Sequence, residues 1–228
     1  MSPRQLFVAG AHTEIGKTHV ACGLLRAARA EGLRVDALKP VVSGFDPADW
    51  SGSDPCRLLQ AIGAGLTEAS LVGISPWRFD AALAPPMAAD LEGRRLDLAE
   101  VVAWCRRRAT DGSSDLLLTE GVGGLMSPLT HGATSLDLLE ALGAPAVLVG
   151  GTYLGAVSHT LTALEVMRAR GHAPLAIFVS EDAGPDAPDF AGTVRLVEAH
   201  AGGVPVVAVP RQPGFGWATA VVHELSAS

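Results

Sequence analysis

Lysine is nearly absent from this chain. Of its 17 basic side chains only Lys17 and Lys39 are lysine, so arginine serves wherever a generic surface cation is enough. The ammonium is a compact point charge whose pKa responds to its surroundings, unlike the planar arginine fork, and both lysines therefore read as chosen positions. Cysteine is scarce too: Cys22, Cys56 and Cys105 lie far apart with no C-x-x-C or other paired spacing. That argues against a disulfide framework. Without a basic N-terminal region followed by a long apolar run, a reducing cytoplasm is the expected compartment. Positive charge is in deficit, with a formal net charge of -7, which argues against nonspecific nucleic-acid binding. The short cluster Arg106-Arg107-Arg108 reads as a solvated helix face. Every hydrophobic stretch is cut by glycine, proline or charge well before it reaches the length of a membrane span. Low-complexity sequence is almost missing as well. The 228 residues, 48% of them hydrophobic, suffice for the core of a single domain over residues 1–228.

What is present alternates. A short apolar run, Leu6 to Ala9, leads into GAHTEIGKT (Gly10 to Thr18) and then into an amphipathic helical pattern from Lys17 to Ala30, closed by Gly32. Strand, glycine loop and helix in that order match a phosphate-binding loop: successive backbone N–H groups face an anion, Lys17 adds a cation, and the Thr18 hydroxyl can reach a magnesium ion. The first glycine is Gly10 where the common spacing would place it at position 11, so the loop is one residue longer than usual. Further strands are expected at Arg34 to Leu38, Leu116 to Thr119, Ala146 to Val149, Leu175 to Val179 and Val204 to Val209. Helices are expected at Pro55 to Ile62, Leu96 to Ala109, Ser135 to Leu142, Ala156 to Arg170 and Ala187 to His200, while Ile74 to Ala89, dense in proline and alanine, carries no regular pattern. Apolar strands without polar alternation, joined through helices, imply a doubly wound, mainly parallel α/β sheet with helices on both faces. Ligands of such a sheet sit beyond the carboxyl ends of its strands.

That rule selects the remaining polar residues. Lys39 ends the second strand and should project at the same sheet edge as the phosphate loop. Asp54, in SGSDP, is on position alone a helix N-cap before a proline at the first helical position. Glu120 ends an apolar strand ahead of Gly121, Val122, Gly123 and Gly124, which resembles a Walker B arrangement with glutamate in place of aspartate. Magnesium accepts one or two carboxylates together with phosphate oxygens and water, so Thr18, Asp54 and Glu120 form a candidate metal set. No Ser-His-Asp or Cys-His arrangement is evident, and Cys22 reads as a core residue.

The segments GAHTEIGKT, LKPVVSG, GSDP, TEGVGGLMSPL and LGAVSHT, in this order and spacing, resemble those of dethiobiotin synthetases, and the resemblance covers nearly the whole chain. It implies a P-loop NTPase fold of the SIMIBI type and a reaction of 7,8-diaminononanoate, carbon dioxide and MgATP to dethiobiotin, ADP and phosphate. Lys39, Thr13 and Ser43 are then expected to hold the carbamate formed from carbon dioxide and one substrate amine. Lys17, the loop N–H groups and magnesium are expected to stabilise the phosphoryl group as the carbamate oxygen attacks it. The second amine then expels phosphate and closes the ring. Glu14, Ile15, Gly16, Lys17, Thr18, His19, Glu120 and Gly123 would contact the nucleotide, with Glu181, Pro210 and Gln212 at the base. Gly155, Ala156, Val157 and Ser158, the start of a helix from the neighbouring subunit of a homodimer, would hold the substrate carboxylate.

The chain departs from the family pattern at several positions. His12, read as an exposed loop histidine, replaces an acidic or small residue, and Tyr153 and Ser158 stand where lysine and asparagine are common. Ser180-Glu181-Asp182 replaces an Asn-Asp pair at the base site, so Glu181 is either an acceptor for an exocyclic amine or a solvated loop residue. A nucleotide-switched ATPase of the ParA and MinD type shares the expected fold but carries a further lysine where this chain has His12. A cobyrinic acid amidating synthetase would need a glutaminase domain that has no room here.

Overall fold

In the computed structural model, which describes residues 3–111, 114–182, 184, 187–212 and 214–227, the chain runs β1 (Arg4–Gly10), α1 (Lys17–Ala30), β2 (Val35–Leu38), β3 (Val41–Ser43), α2 (Asp54–Ile62), α3 (Glu68–Ile74), β4 (Trp77–Phe79), α4 (Pro85–Leu91), α5 (Leu98–Thr110), β5 (Leu116–Glu120), α6 (Ser135–Leu142), β6 (Ala146–Gly150), α7 (Ala156–Ala169), β7 (Ile177–Ser180), α8 (Phe190–His200), β8 (Val206–Val209) and α9 (Gly216–Ala227). Six strands form one sheet in the order β2-β5-β1-β6-β7-β8, and every neighbouring pair is parallel. β1 is therefore central, and the loop after it opens at the middle of the carboxyl edge. This is the doubly wound α/β sheet expected from the sequence.

The apolar strand runs are explained by burial on both faces. Along β1 the side chains alternate: Leu6 and Val8 join one core with Val20, Leu24 and Leu25 of α1 and Leu58 and Leu59 of α2, while Phe7 and Ala9 join another with Val101 of α5, Leu139 of α6 and Leu164 of α7. A strand buried on both sides has no polar positions to alternate. Cys22, Cys56 and Cys105 are free and buried, and burial pushes the Cys22 and Cys105 thiols up to about 12, so neither is a nucleophile at neutral pH.

The structure adds elements that local pattern did not reveal. β3 and β4 form a small parallel pair, and α4 begins on Pro85 and Pro86, so the stretch from 74 to 89 is in part regular. These short pieces are held by tertiary contacts: Arg94 lies over Phe79, Arg78 over Phe45, and Trp77 meets Trp104 edge-on. Helices α3 and α9 were not anticipated either. Strands β7 and β8 and helix α8 begin two or three residues later than their apolar or helical patterns, at Ile177, Val206 and Phe190.

Candidate active site

Immediately after β1, the backbone of the loop takes left-handed conformations at Glu14 (φ 56°) and Gly16 (φ 97°). Such alternation turns consecutive N–H groups toward one concavity, the physical basis of anion binding in this type of loop. Gly16 tolerates nothing larger, because a Cβ there would come within 2.4 Å of Ser180 Oγ. Lys17 opens α1, lies 6% exposed, and donates to the His12 carbonyl at 2.9 Å. Burial, reinforced by the nearby Lys39 charge, lowers its pKa to about 8.

Beside the loop lies a buried charge cluster built by three strand and helix ends. β2 delivers Lys39 and β5 delivers Glu120, and the parallel pairing of those strands brings the two together. Lys39 Nζ donates to Glu120 Oε1 at 2.5 Å and to the Gly121 carbonyl at 3.0 Å, and lies 3.4 Å from Asp54 Oδ2. Thr18 Oγ1 donates to the same Glu120 oxygen at 2.9 Å. Burial works against the Lys39 charge, yet Glu120 and Asp54 outweigh it and raise the lysine above its ordinary value. Lys39 therefore remains an ammonium at physiological pH. The other Glu120 oxygen, Oε2, is buried with no hydrogen-bond partner among the described residues.

Asp54 is not the helix cap expected from its position. Ser53 caps α2, its hydroxyl accepting from the Cys56 N–H at 3.4 Å, and Asp54 is the first helical residue. Freed from capping, its carboxylate turns toward Lys39, whose charge lowers its pKa against the upward pull of burial.

A cavity of about 350 Å³ unites most of the anticipated residues: Thr13, Glu14, Gly16, Lys17, Thr18, His19, Lys39, Ser43, Asp54, Glu120 and Gly123 all line it. A neighbouring cavity of about 270 Å³ takes in Thr13, Glu14, Ile15, Tyr153 and Glu181. Pro210 and Gln212 line neither; the residue between them, Arg211, lines both. Arg57 of α2 also borders the first cavity. Neither arginine stands out in the sequence, because arginine is this chain's default cation. His12 is exposed as expected, and its ring stacks on His159 at 5.6 Å, with the Tyr153 hydroxyl hydrogen-bonded to His159 Nδ1 at 2.7 Å.

At the start of α7, Gly155 caps in a left-handed conformation with no side-chain partner for the helix N–H groups. Gly155, Val157 and Ser158 face a separate groove along α7 and α8, while Ala156 is buried.

A protein-family model described as an AAA domain matches residues 4–219. The ATP-dependent dethiobiotin synthetase BioD of Phenylobacterium zucineum (strain HLK1) is 53% identical over 227 residues, spanning 97% of this chain and 94% of that protein. The protein of the same name from Caulobacter vibrioides (strain NA1000 / CB15N) is 51% identical over 208 residues, 91% of this chain and 93% of that one. Among solved structures, the MinC:MinD cell division protein complex of Aquifex aeolicus aligns with a TM-score of 0.55 over 98% of this chain and 94% of that chain, at 9% identity. The last likeness is one of fold alone, whereas identity near one half along almost the full length carries much further. The chain belongs to the family of ATP-dependent dethiobiotin synthetases.

Proposed function

We propose that this chain, acting as one catalytic domain, uses ATP to close the ureido ring of dethiobiotin from 7,8-diaminononanoate and carbon dioxide. The observation that carries the reading is that the chain's only two lysines, Lys17 and Lys39, share one cavity, one on the phosphate loop and one beside it. Lys17 and the N–H groups of the loop grip the triphosphate. Lys39, held charged by Glu120, offers a cation to the carbamate, with Thr13 and Ser43 as hydroxyl donors on the same wall. The carbamate oxygen attacks the γ-phosphorus and ADP leaves; the second amine then attacks the carbamoyl carbon and phosphate leaves. Both reacting amines belong to one substrate, so the ring closes without a protein nucleophile. The buried thiols are consistent with that economy.

Thr18, Asp54 and Glu120 fit a magnesium ion. All three supply hard oxygen, and the orphaned Glu120 Oε2 is a buried acceptor whose desolvation only a cation or a donor would offset. Bound there, magnesium would neutralise charge building on the phosphates. The substrate carboxylate goes to the helix start at Gly155, Ala156, Val157 and Ser158, supplied by a second subunit; the Ala156 N–H donates to the Tyr153 carbonyl at 2.9 Å, and no side chain caps the turn. Their position outside the Lys39 cavity favours a homodimer, and Leu154, 92% exposed beside them, suits such an interface. Three reduced cysteines suit the cytoplasm.

Purified protein given diaminononanoate, bicarbonate and MgATP, with no other protein, is expected to form dethiobiotin. Absence of product together with ATP hydrolysis stimulated by a partner protein would replace this reading with a nucleotide switch.

A further inference from the structure

The mechanism above leaves Arg211 and Glu181 without a role, and they are bound to each other. The Arg211 backbone N–H donates to Glu181 Oε2 at 2.8 Å, Arg211 Nε donates to the Glu181 carbonyl at 2.7 Å, and the Glu181 N–H donates to the Val209 carbonyl at 2.9 Å. These bonds staple the ends of β7 and β8 together. They also commit one Glu181 carboxylate oxygen, Oε2, to the protein. The guanidinium is thereby laid over the phosphate loop: a Cβ built on Gly16 would lie 3.6 Å from Arg211 Nη2. Its two terminal nitrogens have no hydrogen-bond partner among the described residues, and the side chain borders both cavities. Beneath it, Ser180 Oγ is buried against the same glycine, with no hydrogen-bond partner among the described residues.

We propose that Arg211 is a clamp for the nucleotide polyphosphate and that Glu181 is its positioning residue, taking the place of a side chain that would read adenine. A planar fork with free donors matches phosphate oxygens two at a time, which a point charge does not. Binding strength then rests on the phosphates, and the identity of the base counts for less.

This rests on the reading of the cavity as the ATP site. The test compares wild type with Arg211→Ala, Arg211→Lys and Glu181→Ala, using ATP, GTP and inorganic tripolyphosphate as probes. Arg211→Ala is expected to weaken ATP and tripolyphosphate by the same factor, about tenfold to a hundredfold for lost charge-assisted hydrogen bonds. The KM for ATP should carry that loss, with kcat at saturation falling far less. Arg211→Lys, which keeps the charge without the fork, should recover only part of it, and Glu181→Ala should move KM in the same direction. Wild type should use GTP within about tenfold of ATP, the equivalent of roughly 1.4 kcal/mol. An Arg211→Ala protein that loses ATP affinity but holds tripolyphosphate normally would mean the guanidinium packs on the base, and the clamp is refuted. Unchanged ATP affinity in an active Arg211→Ala enzyme refutes the clamp while leaving the synthetase reading intact. A wild type that binds no ATP removes both.

Discussion

Lys17 should destabilise the protein that depends on it. Folding carries its ammonium into a site where the pKa drops from an ordinary 10.5 to about 8, so the native state disfavours the charged form by about 3 kcal/mol. Replacing it by methionine keeps the buried stem and removes both the desolvated charge and its repulsion with Lys39. The lost hydrogen bond to the His12 carbonyl returns about 1 kcal/mol of that gain. Lys17→Met is therefore expected to be more stable than wild type by about 2 kcal/mol at pH 7 in the absence of nucleotide, a rise in Tm of roughly 4–8 °C for a chain of this size. The sign with pH follows from linkage. The folded pKa lies below the unfolded one, so the unfolded chain holds more protons between about 8 and 10.5, and wild-type stability gains on the variant as pH rises through that window. Urea unfolding of the two proteins at pH 7 and pH 10 measures this. MgATP should protect wild type against unfolding and leave Lys17→Met unprotected. A variant no more stable than wild type at pH 7, or an advantage that does not shrink by pH 10, would refute the assignment of Lys17 as a strained, desolvated cation.

Two further outcomes follow from the same cluster. Lys39→Met removes the ammonium that ion-pairs with buried Glu120, leaving Lys17 as the nearby cation, and is expected to cost about 3–5 kcal/mol of stability along with all turnover. Lys39→Met combined with Glu120→Gln should recover most of the stability and none of the activity, and a double variant as unstable as the single one would show that the pair is not coupled. Because triphosphate favours the charged form of Lys17, ATP binding at pH 8.5 should take up protons, with affinity falling as pH rises above about 8. Calorimetry in buffers of different ionisation enthalpy reads that uptake directly, and a heat independent of buffer would exclude it.

How much of the site is legible in the chain depends on how local its chemistry is. Gly16, Lys17 and Thr18 are recognisable because a phosphate loop is made by consecutive backbone groups between a strand and its own helix. Lys39 and Glu120 are recognisable because each polar residue ends an apolar strand, and parallel strands share a carboxyl edge. On position alone Asp54 reads as a cap, because aspartate before proline is a good start for a helix; in the fold Ser53 caps α2 and Asp54 turns toward Lys39, distant in sequence but within 3.4 Å in space. Arg211 carried no local signal at all, since one arginine in a loop looks like any other. Its position is set by Glu181, on the turn after a different strand.

The sequence by itself determined the alternating strands and helices, the burial of the sheet on both faces, and the placing of the phosphate loop and both lysines at one edge, because these depend on short-range periodicity and on backbone groups that are neighbours in the chain. Only the tertiary structure decided the order β2-β5-β1-β6-β7-β8, the turning of Asp54 to Lys39, the unpaired oxygen of Glu120 and the seating of Arg211 over Gly16. The strand order is set by pairing and packing between distant segments, and the other three by contacts and charges between residues far apart in sequence, which exist only once folding has brought them together and taken water away.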